Sequence, residues 1–206
     1  MCWSNDITFD FVGIRPKKNP PLNKLDCNVL LWNTEGIKNA MDLAPPDILH
    51  NYDLAIFTET FIMDNWNHPL FYSTHVLAKK GDKGRPAGGI SVLMRPWMTP
   101  IIRTIRKENA VLIVTKELAI IAAYYPPNHS ALEILEEIHY LIQQIKHEKP
   151  TIIAGDLNCR IDKKNSKTKL VVDALEEEGF TLLNDRNTPT YICHNGSSAI
   201  DLSPME

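Results

Sequence analysis

Apolar residues come along this chain in short uninterrupted runs more often than in strict alternation. From Cys27 onward the runs are CNVLLWN (27–33), LAIFTET (54–60), GGISVLMR (88–95), NAVLIVT (109–115), LAIIAAYY (118–125), PTIIAGD (150–156) and FTLLND (180–185). Each has the length of a strand, and a continuous apolar run suits a strand covered on both faces. Two segments change the period. In SALEILEEIHYLIQQIKHE, Leu132, Leu135, Ile138, Leu141, Ile142 and Ile145 predict one apolar helix face, and Ser130 with Glu133 form a capping box. KLVVDALEEEGF (169–180) predicts a second helix, with Gly179 placed to end it. No internal repeat is present.

Strands, helix, strand, helix, strand in this order predict an α/β fold: a four-layer sandwich of two packed β-sheets flanked by helices. The domain is expected over 27–206. Residues 1–26 are Pro- and Lys-rich (RPKKNPPLNK) and read as a loosely ordered lead-in segment. In such folds polar residues that follow an apolar run sit on the loops where chemistry collects.

Composition narrows the picture. The chain has 206 residues, 44% apolar and 23% charged, enough for one domain with a real core. A formal charge of -3 announces no global field for nucleic acid, leaving only local patches such as KKGDKGR (79–85) and Lys163, Lys164, Lys167 and Lys169. Such runs are ordinarily solvated loops. Cys2, Cys27, Cys159 and Cys193 are scattered without CxxC spacing and read as reduced thiols, not as a disulfide framework or a zinc site. No apolar run is long enough to cross a bilayer, and the first twenty residues lack the apolar core of a signal peptide. The expectation is an intracellular monomer, nuclear if it acts on DNA.

The candidate chemistry lies where strands end. VLLWN closes on Asn33, AIFTET places Glu59 between two threonines, IIAAYY carries Tyr124 just before PPN, and TIIAGDLN delivers Asp156 and Asn158. SSAID adds Ser198 and Asp201. Taken singly, each has an ordinary reading: turn residues, a surface acid, a core tyrosine. Together they make an inventory for phosphodiester cleavage, which needs a hard divalent cation, control of a water proton, and neutral donors that hold the phosphate. Glu59 supplies the oxygen ligand that Mg²⁺ prefers. Asn33, Tyr124 and Asn158 are uncharged donors, and Asp156 is a second carboxylate suited to proton transfer if burial raises its pKa.

In their order, LLWNTEGI, FTET, GGISVLM, AAYYPPN, AGDLN and SSAIDL resemble successive motifs of the endonuclease/exonuclease/phosphatase superfamily, over roughly residues 27 to 203. Within it the chain is most similar to the endonuclease domain of non-LTR (LINE-type) retrotransposons, with PPN, TPTYI and GSSAIDL favouring that branch over abasic-site repair enzymes. The resemblance implies a nuclease that nicks duplex DNA with Mg²⁺ (or Mn²⁺). Glu59 becomes the metal ligand with Asn33 beside it. Tyr124 contacts the scissile phosphate, Asp156 handles the proton of nucleophile or leaving group, and Asn158 orients water or phosphate. Ser198 becomes a phosphate or DNA contact, and Asp201 matches the acid that orients a catalytic His. Gly155 is expected to let the backbone turn into the site, and Glu35 reads equally as a second metal-site carboxylate or a turn residue.

One departure bears on activity. The resemblance calls for a terminal Ser-Asp-His element, yet the sequence ends at DLSPME and no His follows His194. That implies a chain truncated at its C-terminus, a sheet short of its final strand with an edge unpaired, and weak or absent catalysis. The alternative is a catalytically silent, element-derived nucleic-acid-binding or interaction module, although near-neutral charge counts against tight duplex binding. A phosphatase of small or lipid phosphates keeps the fold but fits SSAIDL less well. His50, His68, His75, His129, His139 and His147 show no metal-ligand spacing and read as structural or solvent-facing residues of loops and helices. Trp32, Trp66 and Trp97 read as core or rim aromatics, with Trp97 the one that could approach DNA.

Overall fold

Alternation within the apolar runs sets the layers. The computed structural model describes residues 27–206 apart from 45–46, 81–83, 99, 146–148, 160–164, 184–190, 194–195, 199–200, 203 and 206. The expected lead-in, Cys2, Lys163, Lys164, His147 and His194 therefore lie outside the described residues. In β6 (Ala110–Thr115), Ala110, Leu112 and Val114 join one core while Val111 and Ile113 join another. In β7 (Ala119–Tyr124), Ile121 and Ala123 face the first core, and Ile120, Ala122 and Tyr124 face the second. β2 (Leu54–Thr58) repeats the pattern, with Leu54 and Ile56 in the second core and Ala55 and Phe57 in a third. Strands with apolar residues on both faces must be covered on both, which explains why the runs are continuous.

One sheet runs β1-β2-β4-β3, with β1 (Val29–Asn33), β3 (Tyr72–Val76) and β4 (Ile90–Met94) around β2. The other runs β5-β6-β7-β8-β13-β9, adding β5 (Ile101–Arg106), β8 (Thr151–Asp156), β9 (Thr181–Leu182) and β13 (Pro204–Met205), with β12 (Asp201–Leu202) also on β8. A separate hairpin pairs β10 (Tyr191–Cys193) with β11 (Gly196–Ser198). Only β1/β2 and β7/β8 are parallel pairs among the described strands. The second core lies between the two sheets. Helices α2 (Ala131–Gln143) and α3 (Ser166–Glu177) cover the outer face of the larger sheet, and α1 (Ile37–Leu43) covers the smaller one. This is the expected four-layer sandwich. Among the described residues β1 pairs with β2 alone, while the side of β8 away from β7 is taken by β12 and β13.

The helices start and stop for local reasons. At α2 the Ser130 hydroxyl accepts the Glu133 N–H at 3.3 Å and the Glu133 carboxylate accepts the Ser130 N–H at 2.7 Å, the capping box read from the sequence. Leu132 is a correction: it is 75% exposed, because at 100° per residue it lies nearly opposite the buried Ile134, Ile138 and Leu141. α3 begins three residues before the expected start, where the Asn165 side chain accepts the Lys167 N–H at 2.9 Å. It ends as expected at Gly179, whose φ of +93° allows Gly179 N–H to reach Glu176 O and Phe180 N–H to reach Leu175 O, both at 3.0 Å.

Candidate functional site

Both parallel pairs end at the same side of the sandwich, and their last register positions carry the candidate residues. In the smaller sheet the final pair is Asn33 with Thr58, and Glu59 follows directly. In the larger sheet it is Tyr124 with Asp156, and Asn158 lies two residues on. Side chains then cross between the sheets. The Asn33 amide donates to Asp156 Oδ2 at 2.9 Å and to Glu59 Oε1 at 3.2 Å, and the Tyr124 hydroxyl donates to the same Glu59 oxygen at 2.9 Å. Asn158 N–H donates to Asp156 Oδ1 at 2.9 Å, while its side-chain amide donates to Tyr125 O at 2.9 Å. Asn33, Glu59, Tyr124, Asp156 and Asn158 thus form one cluster, although Asn158 spends its amide on the backbone.

Asp201 arrives by a different route. Its backbone pairs with Asp156 across the antiparallel β12/β8 ladder. Ser198 pairs with Tyr191 in the hairpin. The side chains of both lie outside the described part of the structure. Glu35 is exposed, and its N–H donates to Asn33 Oδ1 at 3.3 Å, a turn that braces the asparagine.

Electrostatics separates the two carboxylates. Asp156 is 1% exposed, and burial raises its pKa to about 6 against the hydrogen bonds from Asn158 and Asn33; the nearby Glu59 charge pushes the same way as burial. Glu59 is partly exposed at the rim. Burial, then the charge and hydrogen bond of Glu59, hold the Tyr124 phenol above its usual range, so Tyr124 stays a donor.

The backbone is strained here. Four non-glycine residues have positive φ among the described residues: Glu35 (44°), Glu59 (49°), Phe61 (56°) and Asn158 (49°). All four stand in the loops that leave β1, β2 and β8 at the cluster. Such conformations cost on the order of 1–3 kcal/mol each and persist where the surroundings over-determine them. The surroundings here are Gly36 N–H to Glu59 O (2.8 Å), Ile37 N–H to Thr60 O (3.1 Å), Thr60 N–H to Gly89 O (3.3 Å) and Phe61 N–H to Gly88 O (3.1 Å). Gly89 is required: a Cβ there would lie 2.5 Å from Thr60 Oγ1. Gly88 packs beside the Tyr124 ring. Sequence reasoning read Gly88 and Gly89 only as part of a strand; a glycine pair just ahead of an apolar run was the available signal of close approach.

The donor set has a definite character. Among the described residues no three His, Cys, Asp or Glu side chains gather as a metal cage. Two carboxylates sharing one asparagine amide do suit a hard ion that keeps much of its water, such as Mg²⁺, and do not suit zinc, which takes three or four nitrogen or sulfur ligands.

One expectation is corrected, and one residue is placed. His75 belongs to neither a loop nor a helix; it is buried in β3, with Nε2 on Trp66 O at 2.7 Å and Nδ1 on Ser91 Oγ at 2.9 Å. Trp97 is 52% exposed but donates to Asp53 Oδ1 at 3.2 Å. Asp53 precedes β2 and Glu59 follows it, so Trp97 stands a strand length, about 17–20 Å, from the cluster.

The family described as "Endonuclease-reverse transcriptase" matches residues 118–204, a span holding Tyr124, Asp156, Asn158, Ser198 and Asp201 but not Asn33 or Glu59. No curated protein matches the chain. The endonuclease domain of TRAS1, a telomere-specific non-LTR retrotransposon, superposes with a TM-score of 0.58 at 17% identity, covering 85% of this chain and 83% of that one. An AP endonuclease from Archaeoglobus fulgidus superposes with a TM-score of 0.63 at 16% identity, covering 84% of each chain. The chain therefore has the fold of the endonuclease/exonuclease/phosphatase superfamily. The likeness to both structures shows an endonuclease-like fold.

Proposed function

We propose that the chain is a divalent-metal-dependent DNA endonuclease of the retrotransposon type, nicking duplex target DNA weakly, as a monomer in the nucleus. The observation that carries this reading is the convergence of Glu59 and Asp156, from different sheets, on the one Asn33 amide. Nucleases of this family generally use divalent metals, and Glu59 with Asn33 would hold the ion, which supplies positive charge against the phosphate.

The chain's own residues do the rest. Asn33 keeps two acids in fixed relation. Tyr124, kept protonated, exchanges its bond to Glu59 for one to a phosphate oxygen. Asp156 is ionised at neutral pH yet more basic than an ordinary carboxylate, which suits it to take the proton of an attacking water. The Asn158 N–H holds the other Asp156 oxygen in place. Asp201, opposite Asp156 in the ladder, steadies that end of β8.

Nicking of supercoiled plasmid with Mg²⁺ tests the reading. Glu59→Gln and Asp156→Asn should each lower the rate by about 10²-fold or more, the usual worth of an acid–base group. Nicking retained in both folded variants refutes the assignment. DNA binding without nicking by the unaltered chain, purified free of nuclease, would instead favour a binding module.

A further inference from the structure

Arg85 is an exposed cation beside the cluster with no carboxylate partner among the described residues. Its guanidinium lies 4.7 Å from the centre of the Phe61 ring. Phe61 is itself unusual. It stands two residues past Glu59 with φ of 56°, and its N–H is tied to Gly88 O at 3.1 Å. Its ring edge packs over Gly36, where a Cβ would come within 3.3 Å of Phe61 Cδ2. Gly88, three residues after Arg85, rests against the Tyr124 ring that donates to Glu59. Three residues of chain span at most about 10 Å, so Arg85 borders the site that Glu59 and Tyr124 build.

An arginine stacked on an aromatic ring is pre-organised. The ring contact restrains the guanidinium, and an arginine so restrained can offer paired N–H groups to a phosphate. The neighbouring Lys79, in contrast, is already paired with Glu108.

We infer that Arg85, held over the Phe61 ring, grips a backbone phosphate of the DNA strand next to the one presented to Glu59 and Asp156. This rests on the endonuclease reading and adds to it the element that sets the strand's register.

Anisotropy titration of a labelled duplex, in EDTA to stop nicking and across a KCl series, tests the inference. Each phosphate neutralised contributes about 0.9 to the slope of log K against log salt. Arg85→Gln should therefore flatten the slope by about 0.9. Arg85→Lys should keep the slope while binding less tightly, and Phe61→Leu should do the same, because the charge survives without its platform. Thermal melting identifies any variant that fails to fold, and Arg85→Ala, at an exposed position, then replaces it. An unchanged slope in folded Arg85→Gln, with plasmid nicking intact in the unaltered chain, overturns this inference and leaves the endonuclease reading standing. Absence of both binding and nicking in the unaltered chain overturns both.

Discussion

The Asn33 side chain gives one N–H to each of two acids, and that single amide ties together carboxylates from different sheets. Other buried polar residues obey the same demand for partners. His75 offers a case that titrates. Trp66 O can only accept, so Nε2 carries the proton and Nδ1 accepts from the Ser91 hydroxyl. Burial lowers the His75 pKa, opposed by the Trp66 hydrogen bond and aided by the Arg106 charge. The unfolded chain then binds a proton at higher pH than the folded one. Stability from this group is complete above the ordinary histidine value of 6.5 and is lost as pH falls through the lowered folded value. Urea unfolding of His75→Gln should accordingly show a weaker fall in stability below that pH than the unaltered chain; an identical fall would exclude His75 as its source. At this scale the site was legible where a polar residue directly followed an apolar run, as at Asn33, Glu59, Tyr124 and Asp156. Phe61 and Arg85 were not legible, because a positive φ and a ring stack are set by tertiary bonds that no local pattern displays. The reading of reduced thiols has a physical counterpart for two of the four: Cys27 and Cys159 are free and buried, with pKa values pushed up to about 12 and about 11, chiefly by burial.

Among the elements, the seven expected strands form with trimmed ends, since continuous apolar runs demand two covered faces. β3 and β5 went unread. Their segments, YSTHV and IIRTIR, mix polar with apolar residues because part of each strand is exposed. α1 went unread as well: it is seven residues long, follows Gly36, and has no side-chain cap. Gly155 was read correctly as necessary but for the wrong reason. It lies inside β8, not at a turn, and a Cβ there would sit 1.8 Å from Ala123 O of the neighbouring parallel strand. Gly155→Ala should destabilise the fold by on the order of 3 kcal/mol, as overpacking against backbone does, read as a lower urea midpoint. A midpoint within error of the unaltered chain would mean that β7 and β8 do not approach so closely. Because Asp156 follows Gly155 directly, the same substitution should also lower nicking.

For the whole molecule, the placement of the parallel pairs is what makes a site. β1/β2 and β7/β8 belong to different sheets, yet both deliver their C-terminal ends to one side, and the core between the sheets holds those ends in register. The order of the motifs suggested that distant segments meet; which side chains touch came only from the packing of one sheet on the other. Among the described residues no helix is long and apolar enough to cross a membrane. In the proposed reading one divalent ion is held where both sheets end. Titration with Mn²⁺, followed by paramagnetic broadening of backbone amide signals, tests it directly. Broadening should appear together at Thr34 and Glu35, at Glu59 and Thr60, and at Leu157 and Asn158, and should require far more Mn²⁺ in Glu59→Gln. Broadening confined to one sheet, or unchanged in Glu59→Gln, would contradict it.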